Sequence, residues 1–152
     1  MKRIETRTEI SAAPDDLWAV LTDFPSYPAW NPMVVAISGK REVGSRLDVK
    51  IAMKNGRRMT FHPTLVEYEE GRRFAWLGKV AVRGVFDGLH RFEVENGGAT
   101  STFIHSEEFR GLLPPLLGKL LRDTHDSIVA MNEALAREVE RRRDEQLLAR
   151  PV

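Results

Sequence analysis

Residues 88–111 read GLHRFEVENGGATSTFIHSEEFRG. Two runs of alternating character flank Glu95-Asn96-Gly97-Gly98, a hairpin signal, because Asn and Gly tolerate the backbone angles that tight turns between twisted strands require. On the first strand Gly88, His90 and Phe92 share a face. On the second, Phe103, His105, Glu107 and Phe109 share one, with Thr102, Ile104, Ser106 and Glu108 on the other. A loop of two or four residues sets the His90/Phe92 face beside the Phe103/His105 face, and a loop of three does not. The aromatics mark this shared face as the inner one. His90, His105 and Glu107 then become polar groups among apolar neighbours.

Upstream, the pattern is that of a β meander. Met33 to Ile37 is a short apolar run, and Leu47, Val49, Ile51 and Met53 alternate up to an Asn55-Gly56 hairpin. Met59, Phe61, Pro63 and Leu65 continue on the return strand, and a slip of the apolar phase at Val66 predicts a β-bulge near Pro63. Glu70-Gly71 turns into Phe74 and Trp76. At the N-terminus Ile4, Thr6, Thr8 and Ile10 alternate with charged residues, which predicts a half-buried strand. Pro14, Asp15 and Asp16 then open a short helix carrying Leu17, Trp18, Val20 and Leu21. Asp23-Phe24-Pro25, Tyr27-Pro28 and Trp30-Asn31-Pro32 close it in a turn-rich corner.

Downstream of Gly111 the period changes to three and four. Leu113, Leu116, Leu117, Leu120, Leu121, Thr124, Ile128, Met131, Leu135 and Val139 form one stripe, predicting a long amphipathic helix that starts around Pro114-Pro115. No helical period interrupts the strands before it, so the sheet is expected to be antiparallel, with six to seven strands in an α+β fold. Residues 1–145 are expected to form a single domain, with a frayed tail over 146–152.

Composition narrows the function classes. The chain has 152 residues, no cysteine, and 23 basic against 22 acidic side chains without segregation, so disulfides, thiolate metal sites and steering toward nucleic acid lack a basis. Arg141-Arg142-Arg143 lies among acidic residues and reads as a solvated helix face. No apolar stretch approaches the roughly 20 residues that span a bilayer, and the charged start argues for a cytoplasmic protein with no membrane insertion.

A curved sheet around one helix about 10 Å wide leaves its concave side unfilled, so an internal cavity is expected. The order of elements resembles the START-like superfamily. So do Ile10, Pro14 and Trp18 at four-residue spacing, Trp30-Asn31-Pro32, Trp76, Gly88/His90/Phe92 and His105/Glu107/Phe109/Gly111. More narrowly, the chain is similar to the bacterial SRPBCC proteins of the polyketide cyclase/dehydrase and lipid-transport group, from Met1 to about Arg143. That resemblance implies a helix-grip fold, as in Bet v 1-type proteins, with a hydrophobic pocket between sheet and terminal helix. It does not imply a reaction, because the superfamily holds lipid carriers, allergen-type binders, aromatic cyclases, co-chaperones and ring-hydroxylase subunits.

The expected function is binding, transport or sensing of a small hydrophobic or amphiphilic ligand. Leu117, Leu121, Thr124 and Ile128 are expected to form the helix wall, and Trp76, Phe92 and Phe103 the sheet wall. His90, His105 and Glu107 would hold the ligand's polar end, and Trp30 and Asn31 are candidates for the cavity mouth. The competing reading is a cyclase or dehydratase using His105 and Glu107 as acid and base. Two histidines and one carboxylate also suit a metal, but their spacing is not specific for one, so neither metal nor cofactor is expected. His62 reads as a surface residue, His125 as boundary or exposed. Oligomeric state is left open, a homodimer included.

Overall fold

The computed structural model describes residues 1–79, 86–111 and 117–151, and of Phe86 and Leu117 the backbone only. Strand β1 (Lys2–Ile10) buries Ile4 and Ile10 and exposes the charged positions between them. Helix α1 (Pro14–Thr22) starts on a proline, whose missing N–H falls where a helix has no internal acceptor, and Asp15 and Asp16 occupy its first turn. Leu17, Trp18, Val20 and Leu21 face the core. A 3₁₀ turn at Phe24–Ser26 and one turn of helix, α2 (Tyr27–Trp30), make the corner. Asn31 closes it by accepting hydrogen bonds on Oδ1 from the N–H groups of Met33 (3.0 Å) and Val34 (2.9 Å).

The remaining strands are β2 (Val34–Ser38), β3 (Asp48–Ala52), β4 (Arg58–Phe61), β5 (Thr64–Glu69), β6 (Arg73–Lys79), β7 (Phe86–Gly97) and β8 (Thr100–Gly111). They do not form one continuous ladder. Five make a sheet in the order β1-β8-β7-β6-β5, and three make a second sheet, β2-β3-β4, all antiparallel. The chain passes from one sheet to the other at His62-Pro63, where proline has no N–H to continue a ladder. The bulge lies just beyond: Leu65 pairs with Trp76 and Glu67 with Ala75, leaving Val66 as the extra, exposed residue. The phase slip in the sequence thus reports two events, a change of sheet and a bulge. The sheets stay joined because residues 44–47 run beside β5, with Leu65 N–H donating to Ser45 (2.8 Å) and Leu47 N–H to Pro63 (2.8 Å).

Helix α3 (Leu117–Leu148) has 32 residues, about 48 Å of rise, and lies across the five-stranded sheet. It continues three residues beyond the boundary expected at 145, on surface-exposed positions. The Pro114-Pro115 start falls outside the described residues. Ile128, Met131, Leu135 and Val139 are buried, and Asn132 is buried with them.

The core is aromatic along the sheet. Phe92 is fully buried, with its ring centroid 4.7 Å from Phe74, 4.9 Å from Trp76, 4.6 Å from His90 and 4.8 Å from His105. This ring fastens the floor of the fold to both histidines. Phe92→Ala is expected to lower the unfolding free energy by about 3–5 kcal/mol in urea titrations. A loss under about 1 kcal/mol would mean that the ring is not the central packing element.

Candidate functional site

The β7–β8 hairpin has a two-residue loop: Gly97 pairs with Thr100, and Gly98 adopts φ +82° between them. That parity aligns three inward rows across the sheet. One row reads Ile4, Glu107, His90, Trp76, Leu65, and its neighbour reads Thr6, His105, Phe92, Phe74, Tyr68. On the other side of the first row, Phe109 pairs with Gly88 and Gly88 with Gly78.

Two adjacent glycines leave that third row without side chains on β7 and β6, and a cavity of about 550 Å³ opens there beside Phe109. The β3–β4 hairpin and the first turns of α3 roof it. Met33, Ile51, Met59, Phe61, Trp76, Phe109 and Leu120 supply its apolar surface. A Cβ at Gly78 would lie 3.1 Å from the Phe61 ring, so the glycine is what lets that aromatic sit against the sheet. His90 and Glu107 are polar groups on its wall. Lys54, Lys79, Lys119 and Asp123 also border it, and Lys54 Nζ reaches Asp126 at 2.6 Å, tying the β3–β4 turn to α3.

Behind His90 runs a chain of hydrogen bonds with only one consistent direction. Thr6 Oγ1 lies 3.2 Å from the His105 carbonyl, which can only accept, so Thr6 donates there. Asn132 Nδ2 then donates to Thr6 Oγ1 (2.8 Å), and Asn132 Oδ1 must accept from His105 Nδ1–H (2.8 Å). That leaves His105 Nε2 as a lone pair. His90 Nε2, 2.5 Å away, therefore carries the proton between them, and His90 Nδ1 is the open lone pair at the far end. Glu107 Oε2 lies 3.6 Å from that nitrogen, longer than a hydrogen bond.

Burial sets the charge of all three groups. Desolvation holds His90 well below the usual imidazole range, and it lowers His105 to about 4 against the opposing bond from Asn132. Desolvation likewise raises Glu107 to about 7. Near neutral pH the cavity wall thus presents a neutral imidazole beside a carboxyl on the edge of ionising. Such a pair can bind a polar group or exchange a proton with it.

Of the residues singled out from sequence, Trp76, His90, Glu107 and Thr124 border the cavity. Phe92, Phe103 and Ile128 are buried in the core instead, and Leu121 packs against that core. His105 is fully buried behind His90 and does not reach the wall, so the ionisable groups bordering the cavity beside one another are Glu107 and His90 rather than Glu107 and His105. Asn31 caps the corner, and Trp30 donates from Nε1 to Ser26 Oγ (3.2 Å) and packs edge-on against Tyr27, so neither stands at the mouth. The Leu117 side chain falls outside the described residues. His62 and His125 are exposed.

Sequence reading missed Asn132, although it sits four residues after Ile128 and three before Leu135, a polar residue on the apolar stripe. It also missed the β3–β4 lining, because Met53, Met59 and Phe61 read there as ordinary strand residues. No group of three or more potential metal ligands occurs among the described residues, nor any helix long and apolar enough to cross a membrane.

A curved antiparallel sheet closed by a long C-terminal helix over a cavity defines the helix-grip class. The polyketide cyclase/dehydrase and lipid transport family model matches residues 1–147, so the chain belongs to that family. Solved structures agree on the fold. The Zhui aromatase/cyclase from a Streptomyces strain superposes with a TM-score of 0.77 at 18% identity, covering 93% of this chain and 94% of its own. A START superfamily protein from Mycobacterium smegmatis gives 0.70 at 19%, covering 91% and 97%. XoxI from Bacillus cereus gives 0.69 at 22%, covering 91% and 96%. No curated protein sequence matches the chain.

The raised Glu107 makes a sharp prediction about pH. Its neutral form stabilises the folded chain, a contribution complete below about 4.5 and lost as the pH climbs to about 7. The two histidines act oppositely, their contribution being intact above 6.5 and lost as the pH falls. Comparison with Glu107→Gln isolates the acid from them and from Lys54, Lys79, Lys119 and Asp123 on the same wall. The variant's stability advantage is expected to grow by about 2–3 kcal/mol between pH ~5 and ~8 in urea titrations. A constant difference across that range would show that Glu107 titrates normally.

Proposed function

We propose that the chain binds a small apolar or amphiphilic molecule in this cavity, with its polar end against His90 and Glu107. The observation that carries the reading is the 550 Å³ space itself, walled by methionine, aromatic and aliphatic side chains with one buried polar pair. That volume and lining are typical of sites for small ligands. Burying about 250 Å² of ligand surface contributes about 6 kcal/mol, equivalent to a dissociation constant of roughly 40 μM before ordering costs weaken it, so an apolar contact alone gives modest affinity and the polar pair has to add to it. A hollow of about 460 Å³ between α1 and β2 is less suited, because its one acid, Asp23, is already paired with Arg142 at 3.0 Å.

The second reading is an enzyme of cyclase or dehydratase type. The family and the likeness to an aromatase/cyclase support it, and so does a specific feature, a carboxyl raised to about 7 that faces a neutral imidazole across the cavity wall. In that case Glu107 is the proton-transfer group and His90 its partner. Glu107→Gln would then abolish turnover of a polyketide-like substrate while leaving its affinity within about tenfold. In a pure binder the same variant changes affinity alone.

Filling the cavity tests the common premise. Thr124, half-buried on α3, borders the open space. Thr124→Trp is expected to weaken binding of an apolar fluorescent probe by about tenfold or more, with thermal stability unchanged or raised. Unaltered probe binding in a folded variant would place the ligand elsewhere.

A further inference from the structure

We infer that the His90/Glu107 end of the cavity selects a hydroxyl group, an alcohol or phenol on an otherwise apolar molecule, which donates to His90 Nδ1 and accepts from Glu107. The inference rests on the cavity-binding reading above and goes beyond it by naming the head group. Three observations carry it.

The first is direction. The chain from the His105 carbonyl through Thr6, Asn132 and His105 commits the His90 proton to Nε2, so Nδ1 is left as an acceptor on a side chain that borders the cavity, on the Glu107 side. Moving that proton to Nδ1 would set two lone pairs against each other at 2.5 Å. The second is incompleteness. Among the described residues the Glu107 carboxyl makes no hydrogen bond, its contact with His90 being 3.6 Å, yet the two side chains are only 13% and 3% exposed. Buried polar groups without partners are rare, and here both border the same cavity. The third is charge. Desolvation raises Glu107, and among the described residues no cation forms an ion pair with it, so at mildly acidic pH the protonated acid is the favoured form and supplies the donor that complements the imidazole acceptor.

A hydroxyl oxygen can lie about 2.8 Å from both groups at once, on the cavity side of the line joining them. It then satisfies one acceptor and one donor. An ether or ketone accepts from Glu107 but leaves His90 Nδ1 unpaired. A carboxylate accepts from protonated Glu107 but has no proton for His90 Nδ1, and sets its negative charge against that lone pair. An ammonium needs Glu107 ionised against the imidazole lone pair.

Calorimetric titration of the full chain at pH ~6 with 2-naphthol, 2-methoxynaphthalene and 2-naphthoate separates these cases, since the ring is common and only the head differs. The expected order is 2-naphthol roughly fivefold to tenfold tighter than the methyl ether, with naphthoate weakest. In Glu107→Leu that preference falls to about twofold or less, while Glu107→Gln, which retains a donor, keeps it. Equal affinity for naphthol and its ether, or tightest binding of naphthoate, overturns the head-group inference while the cavity reading stands. No binding of any of the three overturns both.

Discussion

The two-residue loop at Gly98-Ala99 decides which side chains meet. With Gly97 opposite Thr100, every second residue of β7 and β8 shares a face, and a loop one residue longer would send half of them outward. Everything at the site follows from that parity. His90 stands between Trp76 and Glu107, and Phe92 between Phe74 and His105. The outer face is committed equally firmly. There Arg3 and Arg110 meet Glu108, and Arg73 and Arg91 meet Glu67, a ladder of opposite charges that could not be turned inward without stranding ions in the core.

The cavity arises from omission rather than from any special side chain. Rows bearing Phe92 and Trp76 fill the space beneath α3, whereas the row bearing Phe109 continues into Gly88 and Gly78, which add no side chain on β7 and β6. The second sheet then leans Met59 and Phe61 over the gap. Because protein interiors are close-packed elsewhere, a void of this size marks a place where packing has been given up. A buried polar pair beside it makes a purely structural origin less economical than a ligand.

The hydrogen-bond chain links the two halves of the fold. It begins on β1 at Thr6, crosses to α3 at Asn132, returns to β8 at His105 and ends on β7 at His90. Asn132, His105 and His90 are buried and Thr6 partly so, and removing one of the buried members strands the next. The chain therefore acts as a register mark for helix against sheet and as a fixed setting for the imidazole that faces the cavity.

Most of the architecture was legible in local pattern: period two through the strands, period three to four from Leu120 to Val139, and turn chemistry at Asn55-Gly56 and Glu70-Gly71. The last hairpin was legible too, but its turn falls at Gly98-Ala99, with Asn96 and Gly97 still paired in the ladder. These are short-range properties, set by backbone geometry and the side on which each residue falls. The inward placement of His90, His105 and Glu107 was legible for the same reason. What tertiary structure alone decided was depth and partnership. Strand alternation cannot say that His105 is sealed behind His90, that Asn132 reaches across from the helix, or that Phe92 packs where Gly88 opens space. Those outcomes depend on how far a helix stands above a sheet and how one sheet folds over another, distances that no periodicity encodes.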